Sequence, residues 1–204
     1  MSKTTIKAGM KSPEILQPAE IAEFLRFYRE QSALSTFLKK LDVLKLKRAV
    51  RAGDAQILMI RNHQSEVVAA CVLRKITNQG HLQNFSEYRI DLGSGKAAII
   101  GSLMVSGKYQ GGGLAGQLIK QAKEICKREG ISQVFAKVND KNEASVHSFS
   151  RGFKQVSHGH YLKNPRAAFT IYAGSQGAFE EIPTANNDVV AGVGAEPLAP
   201  ALAA

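Results

Sequence analysis

The chain has 204 residues, 44% of them hydrophobic, with 27 Lys and Arg against 17 Asp and Glu and a formal net charge of +10. That length and apolar content suit one core and one main domain. No apolar run approaches the roughly 18 to 20 residues of a membrane span and the N-terminus lacks the apolar core of a secretory signal, so a cytoplasmic protein without membrane contact is expected.

Charge is unevenly placed. No Lys or Arg follows Arg166, whereas Glu180, Glu181, Asp188 and Glu196 do, giving a body of about +14 and a tail of about −4. Residues 1–13 are predicted to be a flexible lead, 14–173 the folded domain, and 174–204, rich in Ala, Pro, Gly and Asn, a disordered acidic tail. Cys71 and Cys126 fall in apolar-periodic segments and no zinc-type Cys/His spacing occurs, which predicts buried free thiols and no metal.

In chain order, Ile21, Phe24, Leu25 and Tyr28 share one face of a helix beginning at Pro18. A second helix is predicted to start after Ser32, a candidate N-cap, and to run to Arg51, with Leu34, Phe37, Leu38, Leu41, Leu44 and Val50 inward. Its outer face collects Lys39, Lys40, Lys45, Lys47, Arg48 and Arg51, either a solvated face or a contact for nucleic acid or an acidic partner, without the interleaved aromatics that base stacking needs. Strands follow at Gln56–Arg61 and Glu66–Arg74, then a polar excursion at Thr77–Gln83 and a strand at Phe85–Leu92. Gly93-Ser94-Gly95 turns the chain into an apolar strand, Ala97–Val105.

Past Val105 comes a polar bend, then Gly111-Gly112-Gly113, then Leu114, Leu118, Ile119, Ala122 and Ile125 at helical spacing. Strand, glycine loop and helix N-terminus together make a corner of outward N–H groups suited to phosphate. A nucleotide P-loop does not fit, because Gly101 to Gly107-Lys108 is one residue too long and Tyr109 stands where Ser or Thr should hold magnesium. The dinucleotide pattern is present in letters as Gly111, Gly113 and Gly116, with Asp140 at the distance of a ribose-binding acid. Five polar residues between the strand and the first glycine, and the lack of a second helix-alternating half, weigh against it.

A third pattern, Gln110-Gly111-Gly112-Gly113-Leu114-Ala115 a short bend after Val105, closely resembles the coenzyme A loop of the GNAT superfamily of N-acetyltransferases. Around it, in the family's order, stand Leu103-Met104-Val105, a strand at Val134–Val138, Asn142-Glu143-Ala144-Ser145 opening a helix, and Gly152-Phe153 closing it. Final strands are read at Lys154–Gly159 and Ala167–Tyr172. The resemblance implies an α/β fold with a mixed, centrally splayed sheet flanked by helices, and acetyl-CoA as cosubstrate. It further implies that N–H groups of Gln110, Gly111, Gly113 and Ala115, in the loop that runs from Gln110 through Gly112 and Leu114 to Ala115, cradle the pyrophosphate. The strand backbone at Leu103, Met104 and Val105 would hold pantetheine. Asn142 would orient that arm, or else merely cap its helix.

In acetyl transfer of this kind an amine attacks the thioester directly, so the protein needs no nucleophile of its own. The resemblance places a Tyr acid where this chain has Ser148 or Phe149; Ser148, Tyr161 and His147 are the substitutes at hand. Candidate bases are Glu87 and Asp91 on one strand face, and His63, His81 and His158 in loops. A basic body suits an acidic or polyanionic acceptor, nucleic acid through residues 39–51 included, and a homodimer is compatible with the pattern. The competing reading is a catalytically idle GNAT-fold binding module.

Overall fold

The computed structural model describes residues 10–38, 40–76, 96–161 and 164–175. Along them run β1 (Glu14–Ile15), a 3₁₀ turn (Pro18–Glu20), α1 (Ile21–Leu34), α2 (Val43–Arg51), β2 (Ala55–Arg61) and β3 (Val67–Ile76). After these come β4 (Ala97–Val105), α3 (Leu114–Arg128), β5 (Gln133–Asn139), α4 (Glu143–Ser150), β6 (Lys154–Tyr161) and β7 (Asn164–Ser175). The strands form one mixed sheet in the order β1-β2-β3-β4-β5-β7-β6, with only β4 and β5 parallel. The predicted strand at Phe85–Leu92, the excursion at Thr77–Gln83 and the tail beyond Ser175 lie outside the described residues.

Strand alternation sorts the core into two faces. Leu58, Ile60, Ala98, Ile100, Val134, Ala136 and Val138 pack against Leu114, Leu118, Ala122 and Ile125 of α3 and Phe149 of α4. On the opposite face Ile57, Met59, Ala70, Val72 and Met104 meet Phe24, Phe27 and Tyr28 of α1 and Leu46 of α2. Further along that face, Phe135, Phe169 and Ile171 form a third cluster with Tyr161 at its margin. Phe24 is fully buried, worth about 2 to 3 kcal/mol of transfer free energy.

The predicted helix from Ser32 to Arg51 is corrected. α1 runs on to Leu34, Ser35 turns extended at φ −130° and ψ 125°, and α2 begins afresh where the Asp42 side chain accepts the Lys45 amide. An aspartate that caps satisfies an orphan donor and favours a new start over a continuous helix. Leu34, Phe37 and Leu44, expected inward, are exposed at 82, 40 and 67%. Leu38, Leu41 and Val50 do reach the core.

Both cysteines are free and buried, as expected. Burial pushes the Cys71 thiol up to about 12 and that of Cys126 to about 11, so neither supplies thiolate at neutral pH. In the folded protein at pH 7.5 neither is expected to react with iodoacetamide on a timescale of hours, and both should be modified in 6 M guanidinium; mass spectrometry of the two samples checks this.

Candidate functional site

β4 keeps β3 as a neighbour along its length but pairs with β5 only at Ala97, Ala98 and Ile99. On its opposite edge β5 pairs with β7 along its whole length, from Gln133 to Asn139. The two parallel strands therefore part, leaving the far edge of Gly101–Val105 without a strand partner among the described residues.

The cause is local. Ala70 faces Met104 and Val72 faces Gly101, so Ser102 and Leu103 together oppose Cys71. Ser102 adopts a left-handed φ of 48°. Such a bulge bends and twists its strand, and here it steers β4 away from β5. Past it, Met104 joins the α1 and α2 cluster while Leu103 and Val105 lie against the α3 cluster.

The bend after β4 closes on itself, the Tyr109 amide donating to the Ser106 carbonyl at 2.8 Å and the Gln110 amide to Gly107 at 3.4 Å. The Gly112 amide turns in to the Tyr109 carbonyl at 3.3 Å. Gly111 and Gly113 then take φ of 77° and 79°, where an L side chain is strained. The first amide of α3 to find a helical acceptor is that of Gln117, on Gly113 at 3.1 Å. Among the described residues the amides of Gly111, Gly113, Leu114, Ala115 and Gly116 have no acceptor. A Cβ built at Gly111, Gly113 or Gly116 meets nothing within 4 Å, so these glycines answer to no packing neighbour. Unpartnered amides, a helix N-terminus and open space in front of both are the donor set that a diphosphate requires.

Of the predicted loop donors, Gly111, Gly113 and Ala115 are in this fan, whereas Gln110 spends its amide on the bend and its side chain on the Val105 carbonyl at 3.4 Å. Asn142 caps α4, its Oδ1 accepting the Ser145 amide at 3.2 Å, which leaves Nδ2 outside that bond. Lys123, on α3, donates to the Gly152 carbonyl at 3.1 Å and stands 5.0 Å over the Phe153 ring, tying the Gly-Phe pair to the glycine-loop helix.

The acid and base candidates among the described residues do not converge. Ser148 donates its hydroxyl to the Ala144 carbonyl at 2.7 Å, and Phe149 is buried edge-on to Phe153. Tyr161 lies on the opposite face of the sheet, its ring 5.0 Å from Phe169 and beneath the Lys137 ammonium at 4.9 Å. Glu87, Asp91 and His81 lie outside the described residues. His158, expected in a loop, is on β6 and pairs with Asp140 at 2.8 Å, whose other oxygen accepts the Thr170 hydroxyl at 2.8 Å. Asp140 is thus occupied within the sheet. His63 is exposed in the β2–β3 turn and His147 exposed on α4. Lys40, Lys45, Arg48 and Arg51 are exposed as the basic face requires, with Lys45 3.8 Å from Asp42. No helix among the described residues is long and apolar enough to cross a membrane, and none of their carboxylate, thiol and imidazole groups cluster to hold a metal.

Sequence reasoning missed the Ser102 bulge and the Asp140–His158 pair. A lone glycine inside a strand pattern, Gly101, was the available signal for the first; the second joins residues 18 apart and has none.

The glycine corner and parted strands coincide with a family match: the model of the acetyltransferase (GNAT) family fits residues 20–153. The chain belongs to the GNAT family of acetyltransferases. No curated protein matches it in sequence. Among solved structures, YncA of Salmonella typhimurium, a putative acetyltransferase with its cofactor acetyl-CoA, is 15% identical with a TM-score of 0.64 over 85% of this chain and 98% of its own. NAA60 of Arabidopsis thaliana, in complex with a bisubstrate analogue, is 16% identical with a TM-score of 0.61 over 81% and 97%. A GNAT-family acetyltransferase of Streptococcus pneumoniae is 13% identical with a TM-score of 0.63 over 82% and 99%. At such identities the likeness concerns the fold.

Proposed function

We propose that this GNAT protein moves an acetyl group from acetyl-CoA to a primary amine by direct attack within a ternary complex. The observation that carries the reading is the fan of five unpartnered amides at the head of α3, set beside the unpaired edge of β4. The acetyl-CoA in the YncA structure and the bisubstrate analogue in the NAA60 structure support it by analogy of fold.

In this reading the amides of Gly111, Gly113, Leu114, Ala115 and Gly116 hold the diphosphate, main-chain groups of Leu103, Met104 and Val105 hold the pantetheine arm, and Asn142 Nδ2 orients it. The coenzyme, when bound, supplies an acetyl thioester. A main-chain N–H at the parted strand polarises its carbonyl, the kind of donor that favours an oxyanion. The chain's own contribution is positioning and exclusion of water, worth several orders of magnitude where the reacting atoms are well placed. The Ser148 hydroxyl already donates within α4, and a coenzyme thiol has a pKa near that of Cys, so the thiolate departs without a dedicated acid at modest cost. The basic body suits an acidic or polyanionic amine acceptor, and its free buried thiols suit a reducing cytoplasm.

Release of free coenzyme A thiol from acetyl-CoA in the presence of a panel of small amines, peptides with free N-termini and amine-bearing nucleic acids tests this. Amine-dependent release is expected. Coenzyme binding without turnover on any amine, joined to salt-sensitive nucleic-acid binding, would instead make the protein a binding module, a reading that the lack of a Tyr in α4 favours.

A further inference from the structure

The glycine corner is held from behind by a residue that the sequence reading passed over. Asn62 follows β2 and is 1% exposed. Its Oδ1 accepts the Glu66 amide at 2.9 Å, which fixes which end of the side-chain amide carries the nitrogen. Nδ2 then faces three acceptors, Gln64 Oε1 at 3.1 Å, Glu66 Oε2 at 2.8 Å and the Tyr109 phenol oxygen at 3.2 Å. The main chain is pinned as well, the Asn62 amide donating to the Glu66 carbonyl at 3.0 Å and the Ser65 amide to the Asn62 carbonyl at 3.0 Å. A buried amide with every donor engaged is costly to move.

Tyr109 is the last residue of the bend before Gln110. Its phenol reaches back 47 positions in sequence to Asn62, its ring packs on the α3 cluster, and its carbonyl receives the Gly112 amide. That carbonyl engages the Gly112 amide, while the Gly111 and Gly113 amides on either side have no acceptor among the described residues. A second tie runs from the Ser106 amide to the Val68 carbonyl at 2.9 Å. The β2–β3 turn, through Asn62, and the start of β3, through Val68, therefore hold the bend at its two ends.

We propose that Asn62 is a positioning residue for coenzyme binding: through the Tyr109 phenol it holds the bend at the setting that aims the Gly111, Gly113 and Ala115 amides at one diphosphate. This rests on the coenzyme reading of the corner given above. Without the phenol contact the bend keeps its turn bonds but loses its fixed height against the hairpin, and the amides no longer share a single target.

The test is Tyr109→Phe, which removes one oxygen and keeps the ring, with Asn62→Ala and the double variant completing a cycle. Calorimetric Kd values are measured for coenzyme A and for S-acetylpantetheine, which shares the thioester arm and lacks the diphosphate. Tyr109→Phe is expected to weaken coenzyme A about three- to tenfold, the size of one hydrogen bond, leaving acetylpantetheine unchanged. Asn62→Ala added to Tyr109→Phe should weaken coenzyme A no further. An unchanged Kd for coenzyme A in Tyr109→Phe, or equal weakening of both ligands, overturns the positioning role while leaving the coenzyme site standing. Wild-type protein that binds no coenzyme A overturns both.

Discussion

Gly113→Asp is expected to weaken coenzyme A binding at least a hundredfold while the protein stays folded. Gly113 sits at the head of α3 with φ of 79° and nothing within 4 Å of an added Cβ, so the substitution meets no clash and only the strain of a left-handed residue, about 1 kcal/mol. Asp is among the residues that tolerate that region best. Its carboxylate, however, would occupy the space in front of the amides of Ala115 and Gly116. At about 5 Å and an effective dielectric near 20, each unit of diphosphate charge would be repelled by about 3 kcal/mol, which is more than a hundredfold in Kd. Gly130→Asp is the control: that exposed glycine at the other end of α3 has φ of 66°, so it imposes the same strain far from the corner. Calorimetry with coenzyme A should show loss in the first variant and none in the second. An unaffected Gly113→Asp would remove the diphosphate from this corner.

The second large effect concerns stability. Arg61, at the end of β2, is 8% exposed and receives Glu14 from β1, Glu20 from the turn and Glu23 from α1. Its guanidinium also donates to the Ser65 carbonyl at 3.1 Å and bridges both oxygens of Glu23. One cation thus fastens the first three elements to the sheet. Breaking a buried pair by removing one partner costs about 3 to 5 kcal/mol; here the carboxylates keep contact with water, so about 2 to 3 kcal/mol is expected for Arg61→Ala, measured by urea unfolding. Arg61→Met, which refills the volume, should lose less. The pH dependence has a definite sign. The Arg61 hydrogen bond holds the Glu23 carboxyl below its ordinary value of 4.5. A carboxyl lowered by folding contributes stability above its unfolded pKa and loses it as pH falls through the folded one. Wild-type stability should therefore drop below about pH 4.5 more steeply than that of Arg61→Ala, and parallel acid titrations of the two would refute the pairing.

What the sequence made legible was periodic or local. Strands at 56–61 and 66–74, the apolar stripe of α3 and the glycine corner could be read because each is specified within a dozen residues. The break between α1 and α2 could not, since Leu34, Phe37 and Leu44 continue the helical spacing and only the Asp42 cap, one polar residue among many, interrupts it. Ser102 escaped for a related reason: a bulge is a mismatch between two strands, and one strand's letters do not show its partner's register. The Asn62–Tyr109 contact and the ring of carboxylates about Arg61 span 38 to 47 positions and exist only after folding. For the acid and base the difficulty is chemical, because Ser148, Tyr161 and His158 are each committed to a neighbour in this fold.

A diphosphate held in the proposed way at the head of α3 would be held by atoms that every residue except proline possesses. Drift in side-chain identity would therefore erode such a site slowly. The vulnerable positions are few: the two glycines whose φ no other residue holds without strain, and any place where a proline would delete a donor. A survey of neutral variation in this chain would find tolerance spread along α3 and intolerance gathered at Gly111 and Gly113.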